Sequence, residues 1–119
     1  MKVLIVDDSK AMRMIVRKTM KDAGFDADFD EAEDGAIALD KIRSDMPGLV
    51  LSDWNMPNMN GIDLLKAMNE EGIKTRFGFV TTESTADMKK AANDAGAMFM
   101  ISKPFTVESF KTALTRVIR

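Results

Sequence analysis

Short apolar runs alternate with amphipathic segments five times along the chain. The four clearest runs are residues 3–6, 49–52, 77–80 and 98–102, and a polar residue follows each of them. Runs of this length with polar or Gly/Pro boundaries indicate buried strands of a parallel sheet. A weaker run over residues 27–32 has alternating charges, which predicts a strand at a sheet edge.

Helical spacing of apolar residues follows each run. Ser9, Asp34, Ser84 or Thr85, and Thr106 are the expected helix starts, because short polar side chains cap helix N-termini. Gly24, Gly72 and Gly96 end three of the helices, and the second ends before Pro47. The expected inward residues are, in chain order, Met12, Ile15, Val16 and Met20; Ala38, Leu39 and Ile42; Leu64, Leu65 and Met68; Met88, Ala91, Ala92 and Ala95; and Val107, Phe110, Leu114, Val117 and Ile118. The fourth helix, anchored mainly by alanines, is expected to be among the more mobile elements, because alanine buries little apolar area.

This alternation predicts one α/β domain over residues 1–119, with a doubly wound five-stranded parallel sheet and helices on both faces. Ligands of open parallel sheets bind outside the carboxyl ends of the strands. The residues that end the runs, which are Asp7, Asp8, Asp53, Thr81 and Lys103, should therefore meet at one edge.

Three carboxylates, a hydroxyl and an ammonium suit a divalent cation and a phosphoryl group. Asp8 and Asp53 are placed to share a Mg²⁺, with Asp7 beside it and the backbone carbonyl of Asn55 as a further oxygen ligand. Asp53 is the candidate nucleophile, since a carboxylate can form an aspartyl phosphate. Lys103 would offset the phosphoryl charge, and the Thr81 hydroxyl would bind a phosphoryl oxygen.

Composition narrows the chemistry further. The chain has no cysteine and no histidine, which excludes disulfides, thiolate nucleophiles, zinc–thiolate sites and imidazole bases. A net charge of −2 gives no reason to expect nucleic acid or an anionic membrane as a partner. No apolar stretch approaches the roughly 20 residues of a membrane span, and Met1 and Lys2 lead directly into the first strand. We therefore expect a cytoplasmic protein.

These residues resemble the receiver domain of two-component response regulators over the whole chain. Asp7 and Asp8 resemble the family's acidic pair, Asp53 its phosphoacceptor, and Thr81 its switch hydroxyl. Lys103-Pro104-Phe105 resembles its lysine motif, in which the bond before the proline is typically cis. The segments 31–35, 53–61 and 95–97 are similar to CheY-type chemotaxis regulators. The resemblance implies the flavodoxin-like (βα)5 fold with strand order 2-1-3-4-5.

The resemblance also implies a function. A histidine kinase, CheA-like by this likeness, would phosphorylate Asp53 with Mg²⁺, and the protein would catalyse only its own phosphorylation and dephosphorylation. Phosphorylation would then reshape the surface of the fourth helix, fifth strand and fifth helix for a protein partner. A flagellar motor switch protein is one expected partner, and we expect a monomer without an output domain after Arg119.

Two residues depart from the family pattern. Met100 stands at the switch position that usually holds Tyr or Phe, so it offers no phenolic hydroxyl to a motor protein. Thr82 stands where a small residue is usual, beside Thr81. A phosphate sink or phosphorelay intermediate without motor binding is therefore an alternative output.

Two other classes compete on related sheets. An aspartyl-phosphate phosphohydrolase usually has Asp-x-Asp after the first strand, whereas Asp7 and Asp8 are adjacent. A flavin or nucleotide carrier needs a phosphate-binding loop at the same place, and the segment 7–12 lacks one.

Overall fold

The computed structural model describes residues 1–117, and these form the predicted alternation of strands and helices. The elements are β1 (Lys2–Val6), α1 (Lys10–Asp22), β2 (Asp28–Ala32), α2 (Gly35–Ser44), β3 (Leu49–Ser52), α3 (Gly61–Glu70), β4 (Arg76–Thr81), α4 (Ala86–Asp94), β5 (Phe99–Ser102) and α5 (Val107–Thr115). All strand pairs are parallel, in the order β2-β1-β3-β4-β5. The predicted flavodoxin-like α/β fold is confirmed, with β2 at an edge as its charges indicate.

Two apolar cores lie on opposite faces of the sheet. Neighbouring strand residues alternate between them, so that Leu4 packs into the core formed with α2, α3 and α4, while Val3 packs into the core formed with α1 and α5. This alternation is the two-residue period of a strand buried on both faces. It explains why the central strands are continuous apolar runs and not alternating ones.

One predicted inward position in α1 is wrong. Ile15 is 48% exposed, whereas Arg13 is 7% exposed and occupies the inner side with Val16 and Met20. Arg13 is buried because its guanidinium donates hydrogen bonds to a carboxylate and to a backbone carbonyl beneath the helix. A buried charge that is paired and hydrogen-bonded in this way is tolerated.

The last two helices bury less than their apolar patterns indicate. Thr85 caps α4, but Ala92 is the one fully buried residue of that helix. In α5, Phe110 and Leu114 are fully buried, while Val117 follows the helix end and is half-buried. The prediction for Ile118 falls outside the described residues. Among residues 1–117, no helix has both the length and the apolar character to cross a bilayer.

Candidate functional site

Strand register brings the predicted site residues to one edge of the sheet. Val6 on β1 pairs with Ser52 on β3, and the Asp53 amide donates a 2.8 Å hydrogen bond to the Val6 carbonyl. Asp7 and Asp53 therefore leave adjacent strands side by side. On the other side of β3, the Lys103 amide donates a 2.8 Å hydrogen bond to the Thr81 carbonyl, which aligns the ends of β4 and β5.

Three carboxylates converge at this edge. Oxygen atoms of Asp7, Asp8 and Asp53 all lie within 4.8 Å of one another. Asp7 is buried, Asp53 is half-buried and Asp8 is exposed, so the cluster opens to solvent on the Asp8 side. The donors are carboxylates without nitrogen or sulfur, and Mg²⁺ prefers hard oxygen ligands with several retained waters. The donor set therefore fits a magnesium ion held partly by solvent.

Lys103 joins the two inner carboxylates. Its Nζ donates to Oδ2 of Asp7 at 3.0 Å and to Oδ2 of Asp53 at 3.1 Å. The three side chains are 10%, 6% and 14% exposed, so solvent screens these ion pairs weakly. Burial by itself would lower the pKa of Lys103, but the hydrogen bond to Asp7 and the charges of Asp53 and Asp7 outweigh it and raise the pKa. The lysine therefore stays charged beside the candidate phosphoacceptor.

Backbone amides orient the other oxygen of each inner carboxylate. Oδ1 of Asp7 accepts a 2.9 Å hydrogen bond from the Ser9 amide, and Oδ1 of Asp53 accepts a 2.7 Å bond from the Trp54 amide. In each carboxylate, one oxygen therefore accepts a hydrogen bond from a backbone amide and the other accepts one from Lys103. Such doubly held side chains are preorganised to present the same geometry to an incoming group.

The predicted switch residues lie on the two strands beyond β3, Thr81 on β4 and Met100 on β5. Thr81 is fully buried at the end of β4, and its Oγ1 accepts a 3.4 Å hydrogen bond from the Glu83 amide. Met100 is half-buried and packs against the core under α2, α3 and α4, as does Trp54. Thr82 is exposed, in the loop that follows β4. The bond between Lys103 and Pro104 is cis.

The loop after Asp53 approaches the next helix closely. The Gly61 amide donates a 2.8 Å hydrogen bond to the Trp54 carbonyl, and a Cβ on Gly61 would lie 2.2 Å from the Asp53 carbonyl oxygen. Position 61 therefore requires glycine. Asn55, whose carbonyl is the fourth predicted ligand, is exposed within this loop.

Two residues near the site, Arg13 and Asn58, were not predicted from the sequence to belong to it. Arg13 bonds to the Asp7 carbonyl, and Asn58 donates to Asp34, which caps α2. Arg13 does leave a signal, because it lies three and seven positions before Val16 and Met20, in phase with the buried face of α1. Asn58 leaves none, since turn-forming residues of a loop do not show where their side chains point.

Residues 3–115 match the family model of the response regulator receiver domain, and the chain belongs to this family. It is similar to the chemotaxis protein CheY of Pseudomonas aeruginosa, with 39% identity over 98% of this chain and 95% of the relative. The chemotaxis protein CheY-3 of Vibrio cholerae serotype O1 is 40% identical, over 98% and 91% of the two chains. The chain is thus a CheY-like response regulator domain.

Solved structures agree with this family. The chemotaxis protein CheY4 of Vibrio cholerae superposes with a TM-score of 0.86 at 35% identity, covering 98% of both chains. The receiver domain of the LuxO repressor protein of Vibrio parahaemolyticus superposes with a TM-score of 0.89 at 27% identity, covering 97% of this chain and 87% of that one. The family predicted from the sequence is confirmed.

Proposed function

We propose that this protein is a cytoplasmic, monomeric phosphorylation switch of a two-component pathway, with Asp53 as the phosphoacceptor. The observation that carries the proposal is the shared lysine, which bonds to Asp7 and Asp53 at the open edge of the sheet. The relatives named as chemotaxis proteins support a role in chemotaxis. A CheA-like histidine kinase is the proposed donor, as the resemblance to this family implies.

The chemistry proposed for Asp53 is transfer of one phosphoryl group. A carboxylate oxygen of Asp53 attacks the phosphorus of a phosphohistidine, the new O–P bond forms, and the N–P bond to the donor imidazole breaks. Phosphoryl transfer is catalysed mainly by positioning and by offsetting charge. Asp7, Asp8, Asp53 and the Asn55 carbonyl would hold Mg²⁺, which when bound supplies positive charge to the phosphoryl oxygens. Lys103 supplies a further positive charge.

The phosphorylated state ends by hydrolysis at the same site. Water attacks the phosphorus, the O–P bond to Asp53 breaks, and inorganic phosphate leaves. No other substrate is needed, so the protein acts only on its own phosphoaspartate. While Asp53 is phosphorylated, its phosphoryl group draws the Thr81 hydroxyl towards the phosphoryl oxygens. Met100 then moves into the space that the Thr81 side chain leaves.

The output of this switch is proposed to be a protein contact on α4, β5 and α5. A cavity of about 580 Å³ between β5 and α5 lies on this face, lined by Met98, Met100, Phe105 and Arg116 among others. Ala92 alone is fully buried on α4, so this helix has little apolar area to hold it in one position. A flagellar motor switch protein would bind here.

Met100 also favours a second output. Its thioether fills space adaptably but offers no hydroxyl to a partner, unlike the tyrosine that many family members have at this position. A phosphate sink or a phosphorelay intermediate needs no motor contact, and the same Asp53 chemistry would serve it. Binding of a motor switch peptide, measured with and without a phosphoryl mimic, separates the two outputs.

Trp54 gives a direct test of the site. It is the only tryptophan, follows Asp53 directly, and lies 4.8 Å from Phe79 between ring centroids. We expect its fluorescence to respond to Mg²⁺, and then to beryllofluoride only when Mg²⁺ is present. Asp53→Ala should abolish the second response. The control Asp26→Asn should leave both responses unchanged, because this exposed carboxylate precedes β2, at the edge of the sheet opposite the site.

Two outcomes would contradict the proposal. One is the absence of any Mg²⁺-dependent response to beryllofluoride in the unmodified protein. The other is an unchanged response in Asp53→Ala. Transfer of labelled phosphate from a CheA-like kinase to the protein, lost in Asp53→Asn, would then test the donor.

A further inference from the structure

We propose that Arg13 is a positioning residue for the metal site, because it holds the peptide unit between Asp7 and Asp8. The inference rests on the magnesium site proposed above. It concerns a side chain that does not touch the cluster of carboxylates and acts through the backbone that carries two of them.

Arg13 reaches Asp7 from beneath α1. Its Nη1 donates a 2.7 Å hydrogen bond to the backbone carbonyl of Asp7, and its Nε donates a 2.8 Å bond to Oε1 of Glu31 on β2. The Arg13 side chain is 9% exposed, so both bonds lie in a region with little water. A guanidinium held at two of its nitrogens has a defined position.

The bonded carbonyl lies where the sheet no longer orders the chain. β1 ends at Val6, and the Asp7 amide makes the last bond across to β2, to the Ala32 carbonyl at 3.1 Å. The Asp7 carbonyl and the Asp8 amide belong to one planar peptide unit. A hydrogen bond that fixes this carbonyl therefore also fixes the backbone from which the Asp8 side chain projects.

Asp8 depends on that backbone more than its neighbour does. Asp7 is held through its side chain by Ser9 and Lys103. Among residues 1–117, no hydrogen bond or ion pair holds the exposed carboxylate of Asp8. Its direction is set by its own backbone, and hence by Arg13.

Arg17 provides a matched comparison on the same helix. Its Nη2 donates a 2.7 Å bond to Oε2 of Glu31, so Arg13 and Arg17 share one carboxylate. Arg17 has no bond to Asp7. Replacing either arginine by methionine removes one positive charge and one bond to Glu31, but only the change at position 13 releases the Asp7 carbonyl.

Replacement of Arg13 has two effects on the affinity for Mg²⁺, and they act in opposite directions. Loss of a nearby positive charge should tighten the binding of a cation, through the electrostatic field alone. Loss of a positioning bond should weaken it, since removal of an outer partner of a metal ligand typically costs 10–100-fold in affinity. A role limited to attaching α1 to β2 would change the free energy of unfolding and leave the weakening unexplained.

The test is a Mg²⁺ titration of the full chain, followed by Trp54 fluorescence, with urea unfolding of each variant in parallel. We expect Arg13→Met to raise the Kd for Mg²⁺ about tenfold, Arg13→Lys to raise it less, and Arg17→Met to leave it unchanged or lower it. An unchanged or lowered Kd in Arg13→Met would overturn the inference, and so would an equal rise in Arg17→Met.

Two further results remain decisive. If Arg13→Met does not fold, the test uses Arg13→Lys, and a Kd equal to that of the unmodified protein overturns the inference. If the unmodified protein itself shows no Mg²⁺ binding, the proposed magnesium site fails and the inference fails with it. Normal binding that does not depend on Arg13 removes only the positioning role.

Discussion

The side-chain amide of Asn58 donates a 2.7 Å hydrogen bond to Oδ2 of Asp34 and so joins the loop after β3 to the start of α2. Oδ1 of the same carboxylate accepts a 2.9 Å bond from the Ile37 amide, as a helix cap. Beside it, the Gly35 amide donates a 3.0 Å bond to the Met59 carbonyl. Asp34 therefore caps α2 and also anchors the loop that carries Asn55, a predicted metal ligand.

The coupling between Asn58 and Asp34 can be measured with a double-mutant cycle. Asn58 has a φ of 66°, so Asn58→Gly removes the amide without straining the backbone. Asp34→Ser keeps a capping oxygen but is too short to accept from Asn58. We expect a coupling free energy of about 1.5–3 kcal/mol in urea unfolding, the usual net contribution of a hydrogen bond to a charged group. Additive effects of the two substitutions would contradict a direct interaction.

Asp34 also predicts a pH dependence of stability. The Ile37 amide, followed by the Asn58 amide, lowers the pKa of its carboxyl below the ordinary value. A lowered pKa in the folded state gives stability that is present above the unfolded-state pKa of about 4 and is lost as the pH falls through the folded value. Between pH 7 and pH 3, the unfolding free energy should therefore fall less in Asp34→Asn than in the unmodified protein. Parallel curves for the two proteins would contradict this assignment.

The fold and the site differ in how far the sequence predicts them. The strands follow from apolar runs and the site from topology, because the carboxyl ends of parallel strands always meet at one edge. Periodicity places Arg13 in phase with the buried face of α1, but it does not show the hydrogen bonds that allow its burial, since these depend on a carbonyl and a carboxylate outside α1. The bond between Asn58 and Asp34 depends likewise on where a loop side chain points.

A contact between neighbouring strands also escapes sequence patterns. Gly78 on β4 is the register partner of Phe99 on β5, and a Cβ at position 78 would lie 2.1 Å from Cζ of that ring. The ring of Phe99 therefore occupies the space over the glycine. We expect Gly78→Ala to destabilise the protein by about 1–3 kcal/mol, as overpacking does.

The Phe99 ring supplies the control for this substitution. In a Phe99→Ala background the clash is absent, so Gly78→Ala should cost much less than it does in the unmodified protein. Urea unfolding of the two single variants and the double variant measures the difference. An equal cost of Gly78→Ala in both backgrounds would show that the ring is not the obstacle.

The exposed carboxylate of Asp8 predicts a stability effect that reverses with magnesium. Without the ion, Asp8 adds a negative charge within 4.8 Å of Asp7 and Asp53, and of these three carboxylates the Lys103 ammonium bonds to Asp7 and Asp53. Asp8→Asn removes this repulsion at nearly constant shape. We expect it to raise the free energy of unfolding by about 1 kcal/mol in EDTA, the scale of a unit-charge interaction at this distance in water.

Magnesium should reverse the order of the two proteins. An ion that binds only the folded state stabilises it by about 2.7 kcal/mol at a concentration of 100 times its Kd. Asp8→Asn lacks one charged ligand, so Mg²⁺ stabilises it less. In Mg²⁺ the unmodified protein is therefore the more stable of the two. Urea unfolding in EDTA and in Mg²⁺ measures the crossing, with Asp26→Asn as a control that shifts neither condition. Equal stabilisation of both proteins by Mg²⁺ would exclude Asp8 as a ligand, because the ion would then be held without its charge.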